Sequence, residues 1–103
     1  MVGKVLLANV YFTDLSSYKI RPIIVIKDMK EDILCLPLTT NLSAKGTKIC
    51  NDDMEYGNLK KTSVVIIPKI LVLHKSVLLK EIGKIKAKKL IDIKNLLCQE
   101  MEC

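Results

Sequence analysis

A chain of 103 residues, half of them hydrophobic but only 4% aromatic, has length for one domain, expected over 1–103, with a modest Ile/Leu/Val core. Its formal charge of +6, from 17 Lys and Arg against 11 Asp and Glu, is shared evenly by the two halves; it excludes a basic tail and leaves solubility or a polyanion partner as readings. Four cysteines without a CxxC pair, beside a single histidine, exclude a zinc spacing, and the apolar start Val5-Leu6-Leu7-Ala8 is too short for a signal peptide or membrane span, so reduced thiols in the cytoplasm are expected.

Residues 3–12 read as a first strand, with Val, Tyr and Phe towards its end. A polar loop follows over 13–20, where Asp14, Ser16 and Ser17 can fold back on the backbone. Arg21 is the only arginine, and Pro22 pushes it towards an extended backbone where the next strand begins. The runs 23–27 and 33–38 are continuously apolar, which implies strands buried on both faces, joined through the charged turn 28–32. Pro37 would interrupt a central ladder, so it marks a bulge or an edge just before Thr39. If the two runs pair as antiparallel neighbours, Arg21 and the pair Thr39-Thr40 share one end of the sheet. An always-charged planar donor beside hydroxyls, in a basic chain, suits a phosphodiester. Taken alone, Arg21 reads equally as an exposed cation and Thr39 as an ordinary strand end.

Further along, a short strand is expected near 47–50, an acidic turn over 51–58, and strands over 64–67, 70–73 and 79–85, with one helical turn near 76–79. Residues 86–100 form the one convincing helix: Leu90, Ile93 and Leu97 repeat at helical spacing, and Ile91 and Leu96 widen the stripe. Lys86, Lys88 and Lys89 crowd its positive end, so packing rather than capping must carry it. Several short strands before one terminal helix predict a mainly β fold, a small, strongly bent antiparallel sheet or open barrel with the helix against it. A mean hydropathy of +0.27 in so small and charged a chain points to apolar surface that a homodimer would cover.

The stretch Phe12-Thr13-Asp14-Leu15-Ser16-Ser17-Tyr18-Lys19-Ile20-Arg21-Pro22 resembles the loop and Arg-Pro signature of the MazF/PemK toxins of bacterial toxin–antitoxin pairs. Leu38-Thr39-Thr40-Asn41-Leu42 resembles their threonine-bearing motif. Gly57-Asn58-Leu59-Lys60-Lys61-Thr62-Ser63-Val64-Val65, then Leu73-His74-Lys75-Ser76 and Ile82-Gly83-Lys84-Ile85, follow the later pattern in order. The likeness covers nearly the whole chain. It departs at Lys4 and at Val10-Tyr11, where the family carries Gly-Asp and Phe-Pro, in a shorter first loop, and in the uncapped helix start.

This resemblance implies an SH3-like open barrel of the CcdB/PemK toxin type. It also implies a homodimeric, ribosome-independent, sequence-selective endoribonuclease of single-stranded mRNA, working without metal or other cofactor and held inactive by an acidic antitoxin. Arg21 and Thr39 would be its catalytic residues, with Tyr18, Lys19, Thr40 and Asn41 as RNA contacts; Thr40 stands one place from Thr39 and competes for its role. Tyr18 and Tyr56 fall in expected loops and could stack on bases or merely lid the core. His74, where the family carries an acid, is not expected to act in catalysis. Of another class, a CcdB-type toxin binds DNA gyrase without nuclease activity, but the Arg-Pro and Thr motifs favour the nuclease. An inactive RNA-binding relative is a third possibility.

Overall fold

The computed structural model describes residues 1–11 and 18–102, with Tyr18 known by its backbone alone. The expected turns at Asp14, Ser16 and Ser17, the Tyr18 side chain and Cys103 lie outside the described residues. Eight strands, β1 (Lys4–Tyr11), β2 (Tyr18–Met29), β3 (Asp32–Thr39), β4 (Gly46–Ile49), β5 (Met54–Gly57), β6 (Ser63–Ile66), β7 (Leu71–His74) and β8 (Leu78–Ile85), precede the helix α1 (Ala87–Glu100). They join in one antiparallel sheet of order β4-β6-β3-β2-β1-β8-β5, with β7 alongside β3. Extents of 35 × 32 × 31 Å show that this sheet is curled into a half-barrel rather than spread flat.

The continuous apolar runs are explained by two cores, one on each face of the central strands. On one face, Val5, Ile24, Leu36 and Leu38 pack with Ile49, Val65, Ile85 and the helix residues Ile93 and Leu97. On the other, Leu6, Ala8, Val10, Ile23, Val25, Ile33 and Cys35 are covered by Leu71, Leu73 and Leu78. Strands β1 to β3 therefore bury both their faces, and alternation with polar residues is lost. Burial also pushes the Cys35 thiol up to about 12, so it is an inert core group. Cys50 is a free thiol as well.

Pro37 sits where β3 changes neighbours. Its outer edge pairs with β7 through Asp32 to Cys35 and with β6 at Leu38 and Thr39, so a residue without an N–H falls in the gap between the ladders. Pro22 is placed just as economically. The β2–β3 ladder begins at Ile23↔Pro37, and beyond it β2 runs on against β1 alone, from Leu7↔Pro22 to Tyr11↔Tyr18. Arg21 is thus a strand residue, opposite Ala8, and not the end of a loop.

The acidic segment expected as a turn is a 3₁₀ turn at Asn51–Asp53 leading into β5, which pairs with β8. Only Met54 of β5 is buried, so no alternating pattern marks it in the sequence. Tyr56 is consequently a strand residue rather than a loop one; its hydroxyl donates to Glu81 at 3.2 Å. Helix α1 has no side-chain cap at Lys86, and the burial of Ile93 and Leu97 holds it to the sheet. Ile91 lies off the stripe and is 57% exposed.

Candidate active site

Two cavities flank the open end of the β2–β3 ladder. Arg21 and Thr39 each stand two residues past its last pair, Ile23↔Pro37, at the same end of the sheet. Both side chains belong to the strand face that carries Ile23 and Cys35, and both line a cavity of about 320 Å³ walled also by Val10, Tyr11, Pro37 and Lys69. Among the described residues its lining holds two cations and no acid. A guanidinium there offers paired donors matched to two oxygens of one phosphate.

Thr39 is half-buried and ends β3 against Val64. Its hydroxyl oxygen accepts the Asn41 N–H at 3.1 Å, which fixes the rotamer and leaves the O–H to donate into the cavity. The loop is then held by Asn41 itself, whose side-chain carbonyl accepts the Ser43 N–H at 3.1 Å and the Ser43 hydroxyl at 2.7 Å. Asn41 lines neither cavity; its carbonyl serves this turn. Lys19, opposite Val10, is exposed on the Arg21 face beyond the cavity wall.

Strand alternation sends Thr40 and Pro22 to the other face. There they line a larger cavity of about 540 Å³, floored by Leu7 and Leu38 and rimmed by Lys60, Lys61, Lys80 and Glu81. The expected group therefore divides: Arg21 and Thr39 meet in one cavity, and Thr40 stands in the second. The second rim is partly neutralised. Lys4 Nζ lies 2.8 Å from Glu81 Oε1, and its hydrogen bond holds the Glu81 carboxyl below the usual carboxylate range while the Lys4 ammonium is raised. Position 4 thus ties β1 to β8, with β1 intact around it.

His74 lies at the end of β7 and lines neither cavity; its Nδ1 accepts the Ser76 N–H at 3.1 Å and so caps a turn. Tyr11 and Lys69 are cavity residues that sequence reasoning passed over. Tyr11 read as a strand end and Lys69 as the break after Pro68; the β1–β2 and β3–β7 pairings bring both to the cavity that Arg21 lines. Among the described residues no group of His, Cys, Asp or Glu is arranged to hold a metal, and no helix is long and apolar enough to cross a membrane.

A sequence model of the family described as PemK-like, MazF-like toxin of type II toxin–antitoxin system matches residues 2–101. No curated protein matches by sequence. Among solved structures, the chain is similar to a Mycobacterium tuberculosis toxin, MazF-mt6, at TM-score 0.74 and 17% identity, over 96% of each chain. It is similar also to an endoribonuclease in complex with its cognate antitoxin from mycobacterial species, at TM-score 0.65 and 14% identity, covering 99% of this chain and 94% of that one.

Proposed function

Since this chain belongs to the PemK-like, MazF-like toxins of type II toxin–antitoxin systems, we propose that it is a metal-independent endoribonuclease that cuts single-stranded RNA at the cavity shared by Arg21 and Thr39. That shared cavity is the observation that carries the reading. The RNA supplies its own nucleophile. Its 2′-oxygen bonds to phosphorus as the P–O5′ bond breaks; the 2′-proton leaves to water and O5′ takes one back, giving a 2′,3′-cyclic phosphate and a 5′-hydroxyl. Charge builds on the non-bridging oxygens during this exchange, and in this reading the Arg21 guanidinium and the Thr39 O–H stabilise it.

The working form in this reading is a cytoplasmic homodimer. Among the described residues, strand β7 pairs on one side only, against β3, and its Val72 is 61% exposed, an apolar edge that a second copy would cover. Light scattering should give twice the 11.6 kDa of one chain. Inhibition would come from an acidic, disordered antitoxin segment drawn by the +6 charge, with affinity that falls as salt rises. The similarity to an endoribonuclease bound to its antitoxin supports this.

The deciding experiment incubates purified protein with a long RNA, with and without EDTA, and maps the ends. Cuts bearing 5′-hydroxyls that persist in EDTA, and an all-deoxy strand left whole, are expected. Uncut RNA, or equal cutting of the deoxy strand, would overturn the reading.

A further inference from the structure

The first cavity contains a second cation, and its backbone is unusually well fixed for a surface lysine. Lys69 is exposed, yet it stands between two anchored points. On one side Ile67 is buried and its N–H donates to the Lys45 carbonyl at 3.2 Å; on the other β7 begins at Leu71, paired with Cys35. Between them the Ile70 N–H donates to the Pro68 carbonyl at 2.8 Å, closing a three-residue turn with Lys69 at its apex. The Cα is set by this turn, and the side chain lines the cavity that also takes Arg21 and Thr39.

The charge of the reaction gives that placement a use. A phosphodiester carries one negative charge, and the pentavalent species formed when the 2′-oxyanion adds carries two. A site with one cation matches the bound substrate, whereas a site with two matches the state on the way to cleavage. The two cations also differ in kind: a planar guanidinium can grip two oxygens at once, and an ammonium is a compact point charge. We propose that Lys69 is the second phosphate-contacting cation of this site, pairing with the scissile phosphate beside Arg21 and strengthening that contact as charge develops. This rests on the RNA-cutting reading above.

The test compares Lys69→Met and Lys69→Arg with the wild-type protein, all checked for fold by circular dichroism. Two quantities are read: the single-turnover cleavage rate, and the salt dependence of binding to an RNA strand made uncleavable by one 2′-deoxy substitution. Lys69→Met should slow cleavage about ten- to a hundredfold. It should also flatten the log–log salt slope by about 0.7, the value of one phosphate contact on a single strand. Lys69→Arg keeps the charge and should hold the slope, with cleavage within about tenfold of wild type. Lys69→Met cleavage within about threefold of wild type overturns the proposal, as does a slowed rate with an unchanged slope. If wild-type protein binds the strand but cuts no RNA, the nuclease reading falls, and the slope alone decides whether Lys69 contacts phosphate. If it neither binds nor cuts, both fall together.

Discussion

The two cavities at the end of the β2–β3 ladder are built from consecutive residues and have opposite characters. Arg21 and Thr39 face one, Pro22 and Thr40 the other, and Leu38 borders both. The first is walled by strands and one tight turn, and its charged lining among the described residues is wholly cationic. The second is larger, rimmed by Lys60 and Lys61 on a loop and by Lys80 and Glu81 on β8. A side chain on a paired strand is held to a fixed direction, whereas a loop lysine keeps much of its rotamer freedom and conveys charge without geometry. In the proposed reading, the chemistry belongs to the first cavity and unspecific attraction of a polyanion to the second.

The largest effect should come from Arg21→Ala. Removing a charge-assisted contact that strengthens in the transition state costs about 3–4 kcal/mol, roughly a hundred- to a thousandfold in cleavage rate. The fold should survive, because Arg21 is exposed, lies beyond the β2–β3 ladder, and keeps its place opposite Ala8 in the β1–β2 ladder. The paired variant Lys60→Ala with Lys61→Ala should change the rate less than about tenfold and act chiefly through the salt dependence of binding. A gel assay in which the lysine variant loses more activity than Arg21→Ala would reverse the roles given to the two cavities.

Gly83→Val separates the cavities by stability. Gly83 and Gly57 are register partners where β5 crosses β8, and a Cβ on Gly83 would stand 2.3 Å from the Tyr56 carbonyl oxygen and 2.9 Å from the Gly57 Cα. The backbone must shift, at about 1–3 kcal/mol, or roughly 4–8 °C of Tm for each kcal/mol in a chain of this size. The shift moves β5 and the 58–61 stretch after it, which lines the second cavity and not the first. Folded Gly83→Val protein should therefore cut RNA within about threefold of wild type. Lost cleavage with an unchanged melting curve would mean that the second cavity takes part in the chemistry.

Thr39→Val and Thr40→Val give the sharpest contrast for the smallest chemical change. Each removes one hydroxyl, but only Thr39 faces Arg21. Loss of one donor to a developing negative oxygen should slow Thr39→Val about tenfold or more, while Thr40→Val stays within about threefold. The reverse order of rates would move the catalytic role to Thr40.

How far the sequence could be read follows the same division. Continuous apolar runs and the Arg-Pro signature were enough to pair β2 with β3 and to bring Arg21 to the Thr39-Thr40 end. The turn at 30–31, however, sets the register only from Met29↔Asp32 to Lys27↔Leu34, and a bulge between Val25 and Lys27 shifts the remainder by one residue to Ile23↔Pro37. Which threonine faces the arginine required the register itself, since one residue changes the face. Strand β5 was not legible, because an edge strand with a single buried residue leaves no periodic trace. Lys69 was not legible either. It comes to the cavity that Arg21 lines through the β3–β7 pairing, which no local pattern encodes.

The smallest expected effect concerns the acid on the second cavity's rim. Glu81 is held below its ordinary value of 4.5 by the Lys4 hydrogen bond, and Lys4 is raised above 10.5 by the same bond. A carboxyl lowered in the folded state stabilises at pH above its unfolded value, and that stabilisation is lost as pH falls through the folded one. A raised ammonium behaves oppositely, stabilising below 10.5 and losing the contribution as pH rises past its folded value. Wild-type protein should therefore melt slightly above Glu81→Gln on a plateau between 4.5 and 10.5, with the gap closing on the acid side and again on the alkaline side. Both groups are solvent-exposed, so the gap should be small and shrink further in salt. Since Glu81 lines only the second cavity, Glu81→Gln should leave the cleavage rate unchanged at pH 7. A melting gap that widened towards acid would show that the Lys4–Glu81 pair does not stabilise the β1–β8 contact. A faster cut by Glu81→Gln would show instead that charge on the second rim reaches the first cavity.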